Sequence, residues 1–276
     1  MSAKSGSSGS SVGGLEYVRT GSGPPLVLLH GIGGRRQVWE PVMDQLSAQY
    51  DVIALDLPGF GKSLTSPPPA EGAPAGVAAL ASHVTEFLAS QGIERPHAAG
   101  NSLGGALALE LASAGAAASA TALSPAGFAT AADRRRAVVL LTGIRGSTFL
   151  PRAVLRVALR SRPVRALGFG LVVAHPDRLS TERAVGDALA MRRGRGFRPV
   201  ARALRDYEFA GEPAVPVTIA WAGEDRILPP RQAERAKARL PHARHIQLPG
   251  CGHVPMSDDP DAVASVISST VAEAVR

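Results

Sequence analysis

The sequence predicts an α/β fold, a mostly parallel sheet covered by helices and interrupted once by a helical insertion. Three observations carry that prediction. Short, continuously apolar runs such as Leu26-Val27-Leu28-Leu29 and Val52-Ile53-Ala54-Leu55 alternate with segments of helical spacing, as expected for strands buried on both faces. The strand pattern vanishes over residues 127–212, where arginine-rich amphipathic stretches broken by prolines follow one another, and returns after Pro216. With 276 residues, 45% of them hydrophobic, the chain has enough apolar side chains for one sizeable core.

In chain order, residues 1–14 are mostly Ser and Gly, without the apolar centre of a secretory signal, and are expected to be a flexible tail. Residues 15–19 read as an edge strand, followed by strands at 26–29 and 52–55 with a helix at 39–49 between them. Leu80, Val84, Phe87 and Leu88 share a helical face that closes near Gly92. A strand at 97–100, an Ala/Leu-rich helix at 103–114 that is apolar nearly all round, and a strand at 117–123 complete the first half. After the insertion come a strand at 217–221, a helix at 230–240, a strand at 245–248 and a closing helix with Val263, Val266, Ile267 and Val271 on its apolar face. The expected organisation is therefore a core of residues 15–126 and 213–276 with a helical cap at 127–212.

Charge is unevenly spread. The insertion holds 17 arginines, no lysine and 7 acids, a net +10 in a chain whose total is +7, so the rest carries −3. Such a segment reads either as solvated arginine on amphipathic helices or as a basic face for anionic substrates or membrane surfaces. The single cysteine, Cys251, rules out an intrachain disulfide framework and a multi-cysteine zinc site, and suits a reducing, cytoplasmic setting. No run approaches the roughly 18 apolar residues of a membrane helix, so stable membrane insertion is not expected. No nucleic-acid partner is expected either, and the oligomeric state is not readable.

Gly100-Asn101-Ser102-Leu103-Gly104 fits G-x-S-x-G between a strand and a helix. A sharp turn there strains the serine backbone, exposes its hydroxyl above the sheet and needs small neighbours to close. A serine hydroxyl is a poor nucleophile at neutral pH, so a base must take its proton and a carboxylate must orient that base. Asp225, in Gly223-Glu224-Asp225, follows the 217–221 strand, and His253 follows the 245–248 strand. In an open parallel sheet such loops share one edge with the turn bearing Ser102. His30-Gly31-Ile32-Gly33-Gly34 follows the 26–29 strand at that same edge. The backbone N–H groups of Ile32 and Leu103 are the preferred oxyanion-hole donors, with His30, Gly31 and Gly33 supporting the loop.

These segments, with Asp56-Leu57-Pro58-Gly59-Phe60-Gly61-Lys62-Ser63 and Gly223-Glu224-Asp225-Arg226, resemble in order those of the α/β-hydrolase superfamily from about residue 15 to the end. The resemblance implies a helical cap between core strands six and seven that covers the active site. It implies a Ser-His-Asp hydrolase of esters or related acyl substrates, needing no metal or organic cofactor. Ser102 stands where epoxide- and haloalkane-opening relatives carry aspartate, and Val254 where carbon–carbon bond hydrolases usually carry tryptophan. An acyltransferase or a carbon–carbon bond hydrolase on the same triad, or a non-catalytic small-molecule receptor, are the alternatives.

Other motifs read as structural. Gly59-Phe60-Gly61-Lys62-Ser63 lacks the first glycine of a phosphate-binding loop, where Asp56 stands, and Gly31-Ile32-Gly33 lacks a third glycine, where Arg36 stands. Cys251 is expected to pack its loop, His242 and His245 to sit at a helix end, and Ser124 to shape a turn. Glu224 is the rival of Asp225 for the orienting carboxylate.

Overall fold

The computed structural model describes residues 7–10, 14–64 and 76–276. Eight strands form one sheet: β1 (Ser7–Ser10), β2 (Glu16–Gly21), β3 (Pro25–Leu29), β4 (Asp51–Leu55), β5 (His97–Asn101), β6 (Ser119–Leu123), β7 (Val217–Ala222) and β8 (Arg244–Leu248). Their order is β1-β2-β4-β3-β5-β6-β7-β8, with β1 and β2 antiparallel to their neighbours and all other pairs parallel. The strand expected at the edge is therefore second from it. Ser7–Ser10, part of the expected tail, pairs along β2; the remainder of that tail up to residue 13 lies outside the described residues.

Alternation along each strand divides the core into two layers. Val27, Leu29, Ile53 and Leu55 join α2 (Gly76–Ser90) and α3 (Leu103–Ser113) on one face. Leu26, Leu28, Val52 and Ala54 meet α1 (Glu40–Ser47) and α10 (Pro260–Ala274) on the other. Burial on both faces is what the unbroken apolar runs encode. The helix expected at 39–49 begins as a 3-10 turn, Arg36–Trp39, before α1.

Between β6 and β7 stand α4 (Ala131–Ser147), α5 (Arg152–Ala158), α6 (Arg162–Phe169), α7 (Thr181–Arg193) and α8 (Phe197–Ala203). Leu155 and Leu159 pack on Ala184, Val185, Ala188 and Leu189 in a small separate cluster, so this layer has its own centre. It is also tied down. Thr130 caps α4 by accepting from the Asp133 N–H at 3.2 Å, and Asp133 takes Arg231 and Arg235 from α9 (Arg231–Arg239) of the sheet domain. Among the described residues no single helix is long and apolar enough to cross a membrane; α4 and α5 reach that length and composition only as a pair bent by 103°.

Candidate active site

β3 sits between β4 and β5, so the chain leaves β3 to one side and later returns on the other. That switch opens a crevice at the carboxyl ends of β3 and β5, where ligands of open α/β sheets bind. The loop after β3 and the turn after β5 both reach it.

At the end of β5, Ser102 has φ 59° and ψ −113°, a left-handed strained conformation for a residue with a side chain. The surrounding glycines make the turn feasible. A Cβ at Gly104 would stand 2.0 Å from the Leu29 carbonyl oxygen, and one at Gly100 2.0 Å from the Gly104 carbonyl oxygen. The turn is pinned by the Ser102 N–H donating to the Leu123 carbonyl at 2.9 Å, and by the Ala126 N–H donating to the Ser102 carbonyl at 3.1 Å. Leu103 is the first residue of α3 and its side chain is buried, which leaves its N–H among the first-turn donors that lack an intrahelical partner.

Asp225 and His253 meet at the far side. His253 Nδ1 lies 2.7 Å from Asp225 Oδ2, and both residues are buried. Asp225 Oδ1 accepts from the N–H groups of Ile227 at 2.9 Å and Leu228 at 2.7 Å, which fixes the carboxylate plane. The Trp221 indole holds this loop by donating to the Leu228 carbonyl at 2.9 Å. Glu224 is exposed and contributes its N–H to the Cys251 carbonyl, so Asp225 is the carboxylate that meets the imidazole. Among the described residues hydrogen bonds join His253 to Asp225 but not Ser102 to His253. Ser102 and His253 are brought together by the cavity whose wall they share.

Two residues that the sequence did not single out organise this centre. Asn101 donates to the His253 carbonyl at 2.8 Å and to the Leu123 carbonyl at 3.2 Å, tying the serine turn to the histidine loop. Asp258 is buried and accepts from the N–H groups of Gly252 at 2.8 Å, Ala174 at 3.0 Å and His175 at 2.8 Å. The Val254 N–H adds a bond to the Val172 carbonyl at 3.0 Å, so the segment after α6 is stapled to the loop carrying His253. Their side-chain types were visible, but the partners that join separate segments, His253 for Asn101 and residues 174 and 175 for Asp258, lie far away in sequence.

His30, expected as a loop-forming residue, is one. Its Nδ1 lies 2.7 Å from the Gly31 carbonyl, and its Nε2 accepts from the Leu57 N–H at 2.9 Å. Complete burial pushes its pKa below the ordinary histidine value, which matches a neutral ring used as a strut. Gly31 allows the loop to approach Ser102, since a Cβ there would stand 3.3 Å from the Ser102 Cβ. Gly33, at φ +73°, leaves room for Met191 of α7, and Ile32 lines the cavity. Asp56 secures the neighbouring turn by accepting from the N–H groups of Arg36 and Lys62, at 2.7 and 3.0 Å, and from the Arg36 guanidinium.

The cavity holds about 460 Å³ and is mainly apolar, with Leu141, Ile144, Leu155, Leu159, Phe169 and Met191 supplied from the inserted helices. Arg35 and Arg183 also line it, but both bind the Asp187 carboxylate, at 2.8 and 2.7 Å. Cys251 is buried, and burial followed by the nearby Asp258 raises its thiol to about 11, so it packs as a neutral side chain. Ser124 accepts from the Ala222 N–H at 3.1 Å, the turn role expected of it. His245 Nε2 contacts the Leu240 carbonyl at 2.9 Å at the end of α9.

This sheet order, strained serine turn and apolar cavity define a hydrolase-type α/β protein. Residues 26–266 match the family described as the alpha/beta hydrolase family, and the chain belongs to it. It is 29% identical over 279 aligned residues to an uncharacterised protein of Mycobacterium tuberculosis, covering 90% of this chain and 75% of that one. It is 32% identical over 203 residues to the epoxide hydrolase EphH of the same species, covering 71% and 95%. Among solved structures, that of a membrane phospholipase A described as a bacterial virulence factor superposes with a TM-score of 0.75 at 24% identity, covering 99% and 87%. That last likeness is one of fold.

Proposed function

We propose that this chain is a serine hydrolase that cleaves carboxylic esters, or closely related acyl bonds, carrying an apolar group. The observation that carries the reading is the buried Asp225–His253 pair beside an apolar cavity that Ser102 and His253 both line. In the proposed reaction Ser102 Oγ attacks the acyl carbonyl while His253 Nε2 takes its proton, and Asp225 stabilises the imidazolium that forms. The Ile32 and Leu103 N–H groups receive the oxyanion, and His253 returns the proton to the leaving alcohol. Water then attacks the acyl-enzyme with the same histidine as base, releasing the acid and free Ser102.

The similarity to an epoxide hydrolase does not extend to a reaction here. A serine alkoxide that opened an epoxide would form an ether, which water does not cleave under these conditions, whereas an acyl serine is an ester and turns over. The two arginines at the cavity are both paired, sharing the Asp187 carboxylate, with Glu40 3.6 Å from Arg183 as the second acid, which favours uncharged apolar substrates over the anionic ones that composition suggested. The test is active-site labelling. A fluorophosphonate probe labels the wild type and fails on Ser102→Ala; equal labelling of both overturns the assignment.

A further inference from the structure

Among the described residues, seven of the eight large apolar side chains that stand exposed fall between Val139 and Leu167, on or beside α4, α5 and α6. Leu167 is 85% exposed and Val157 65%, values that leave most of each side chain outside the packing of the monomer. α5 shows the arrangement most clearly. Leu155 and Leu159 turn inward onto α7, and Val154 and Val157 face out with Arg152 and Arg156. α6 repeats it, with Val164 and Leu167 exposed and Arg162 beside them. Arg165, by contrast, turns inward and closes the corner by donating to the Leu159 and Arg160 carbonyls at 2.7 and 3.0 Å.

The charge is one-signed. Between Asp133 and Asp177 the chain has nine arginines, no lysine and no acid. Arg152, Arg156, Arg160 and Arg162 are exposed, and among the described residues no carboxylate pairs with any of them. The patch is also continuous with the interior, because Leu150, Val164 and Leu167 are exposed and yet line the cavity that contains Ser102.

We propose that the outer face of α5 and α6 is a docking surface for an anionic lipid membrane, which holds the cavity mouth against the bilayer. Short helices with apolar side chains at the centre and arginine around them match the interfacial region, where apolar groups enter the acyl boundary and guanidinium groups meet headgroup phosphates. The bend of 103° between α4 and α5 turns the short α5 across the direction of α4, an arrangement that suits it to lie along a surface. A second copy fits the same face poorly, since a two-fold interface would set one arginine cluster against its equivalent. If the hydrolase reading also holds, an ester whose apolar chain lies in the bilayer reaches Ser102 along Leu167, Val164 and Leu150 without crossing water.

Flotation of the full chain with vesicles tests this. It is expected to float with equimolar phosphatidylcholine and phosphatidylglycerol, to remain behind with phosphatidylcholine alone, and to be released from the anionic vesicles by high salt. Arg152→Gln with Arg156→Gln lowers the partition coefficient about 25-fold, about fivefold for each arginine near the surface. Val154→Ser with Val157→Ser lowers it about tenfold or more, while hydrolysis of a short soluble ester stays as in the wild type. Ser102→Ala floats like the wild type, so the docking and catalytic readings fail separately. Absence of flotation, flotation unchanged in both double variants, or a stable dimer that Val154→Ser with Val157→Ser dissolves would each overturn the proposal.

Discussion

Asp225→Asn isolates the role of the carboxylate without removing its volume. In the wild type Oδ1 takes two backbone N–H groups and Oδ2 faces His253 Nδ1. An asparagine oxygen can satisfy the two backbone donors only by occupying the Oδ1 position, which turns the amide NH2 toward the imidazole. The ring must then accept at Nδ1 and carry its proton on Nε2, the nitrogen that acts as base in the proposed reaction. Reversing the amide to spare the histidine would set two N–H donors against an NH2 and leave them buried without an acceptor, at about 1–3 kcal/mol each. The wrong tautomer is therefore the stable one, and kcat on a chromogenic short-chain ester is expected to fall about 10,000-fold, roughly 5.5 kcal/mol on the barrier. Thermal unfolding close to that of the wild type shows that the loop is retained. Glu224→Gln, at an exposed neighbour, is expected to leave kcat within about twofold. An Asp225→Asn enzyme within tenfold of wild type, with the fold intact, would refute the reasoning.

Asn101→Ala removes two hydrogen bonds and leaves the His253 carbonyl short of a donor, while the Leu123 carbonyl keeps the Ser102 N–H; a loss of about 1–3 kcal/mol is expected, read as a Tm lower by several degrees, with reduced kcat as the histidine loop loosens. Asp133 supplies a pH signature. Burial alone would raise its pKa, but hydrogen bonds from Arg231, Thr130 and Arg235 outweigh that and hold it at about 2. The folded value lies below the unfolded value of about 3.9, so the contribution is complete above about pH 4 and is lost as pH falls toward about 2. Thermal melts should show the wild type above Asp133→Asn at neutral pH and the gap closing over that acidic interval; a gap that widens there contradicts the assignment.

Much of the fold was legible because its signals are local. Apolar alternation marks β3 and β4, glycine spacing marks the turn at Ser102, and the position of Asp225 and His253 after strands marks the edge they share. What stayed hidden depends on distant backbone. The Asn101 amide reads as one residue of a five-residue motif until the His253 carbonyl is seen above it, and Asp258 reads as one of two acids before a helix until three N–H groups converge on it. The pairing of Ser7–Ser10 with β2 was hidden for a related reason: main-chain hydrogen bonds hold that strand, and its Ser and Gly side chains give no apolar alternation to read. The arginines of the insertion divide only in three dimensions, Arg183 meeting Asp187 beside Arg35 of the loop after β3 while Arg152 and Arg156 remain at the surface.

The staple at Asp258 bears on how such a protein can change. The partners of its carboxylate from the insertion are the main-chain N–H groups of residues 174 and 175, with one side chain, Arg178, donating to the Asp258 carbonyl at 2.6 Å, and the neighbouring bond joins two main-chain groups, residues 254 and 172. Every amino acid except proline supplies an N–H, so residues 174 and 175 can drift while the register of the inserted layer over the histidine loop is preserved. Variation in the cavity wall is thereby decoupled from the placement of the wall itself, which leaves substrate preference free to diverge on a fixed catalytic frame.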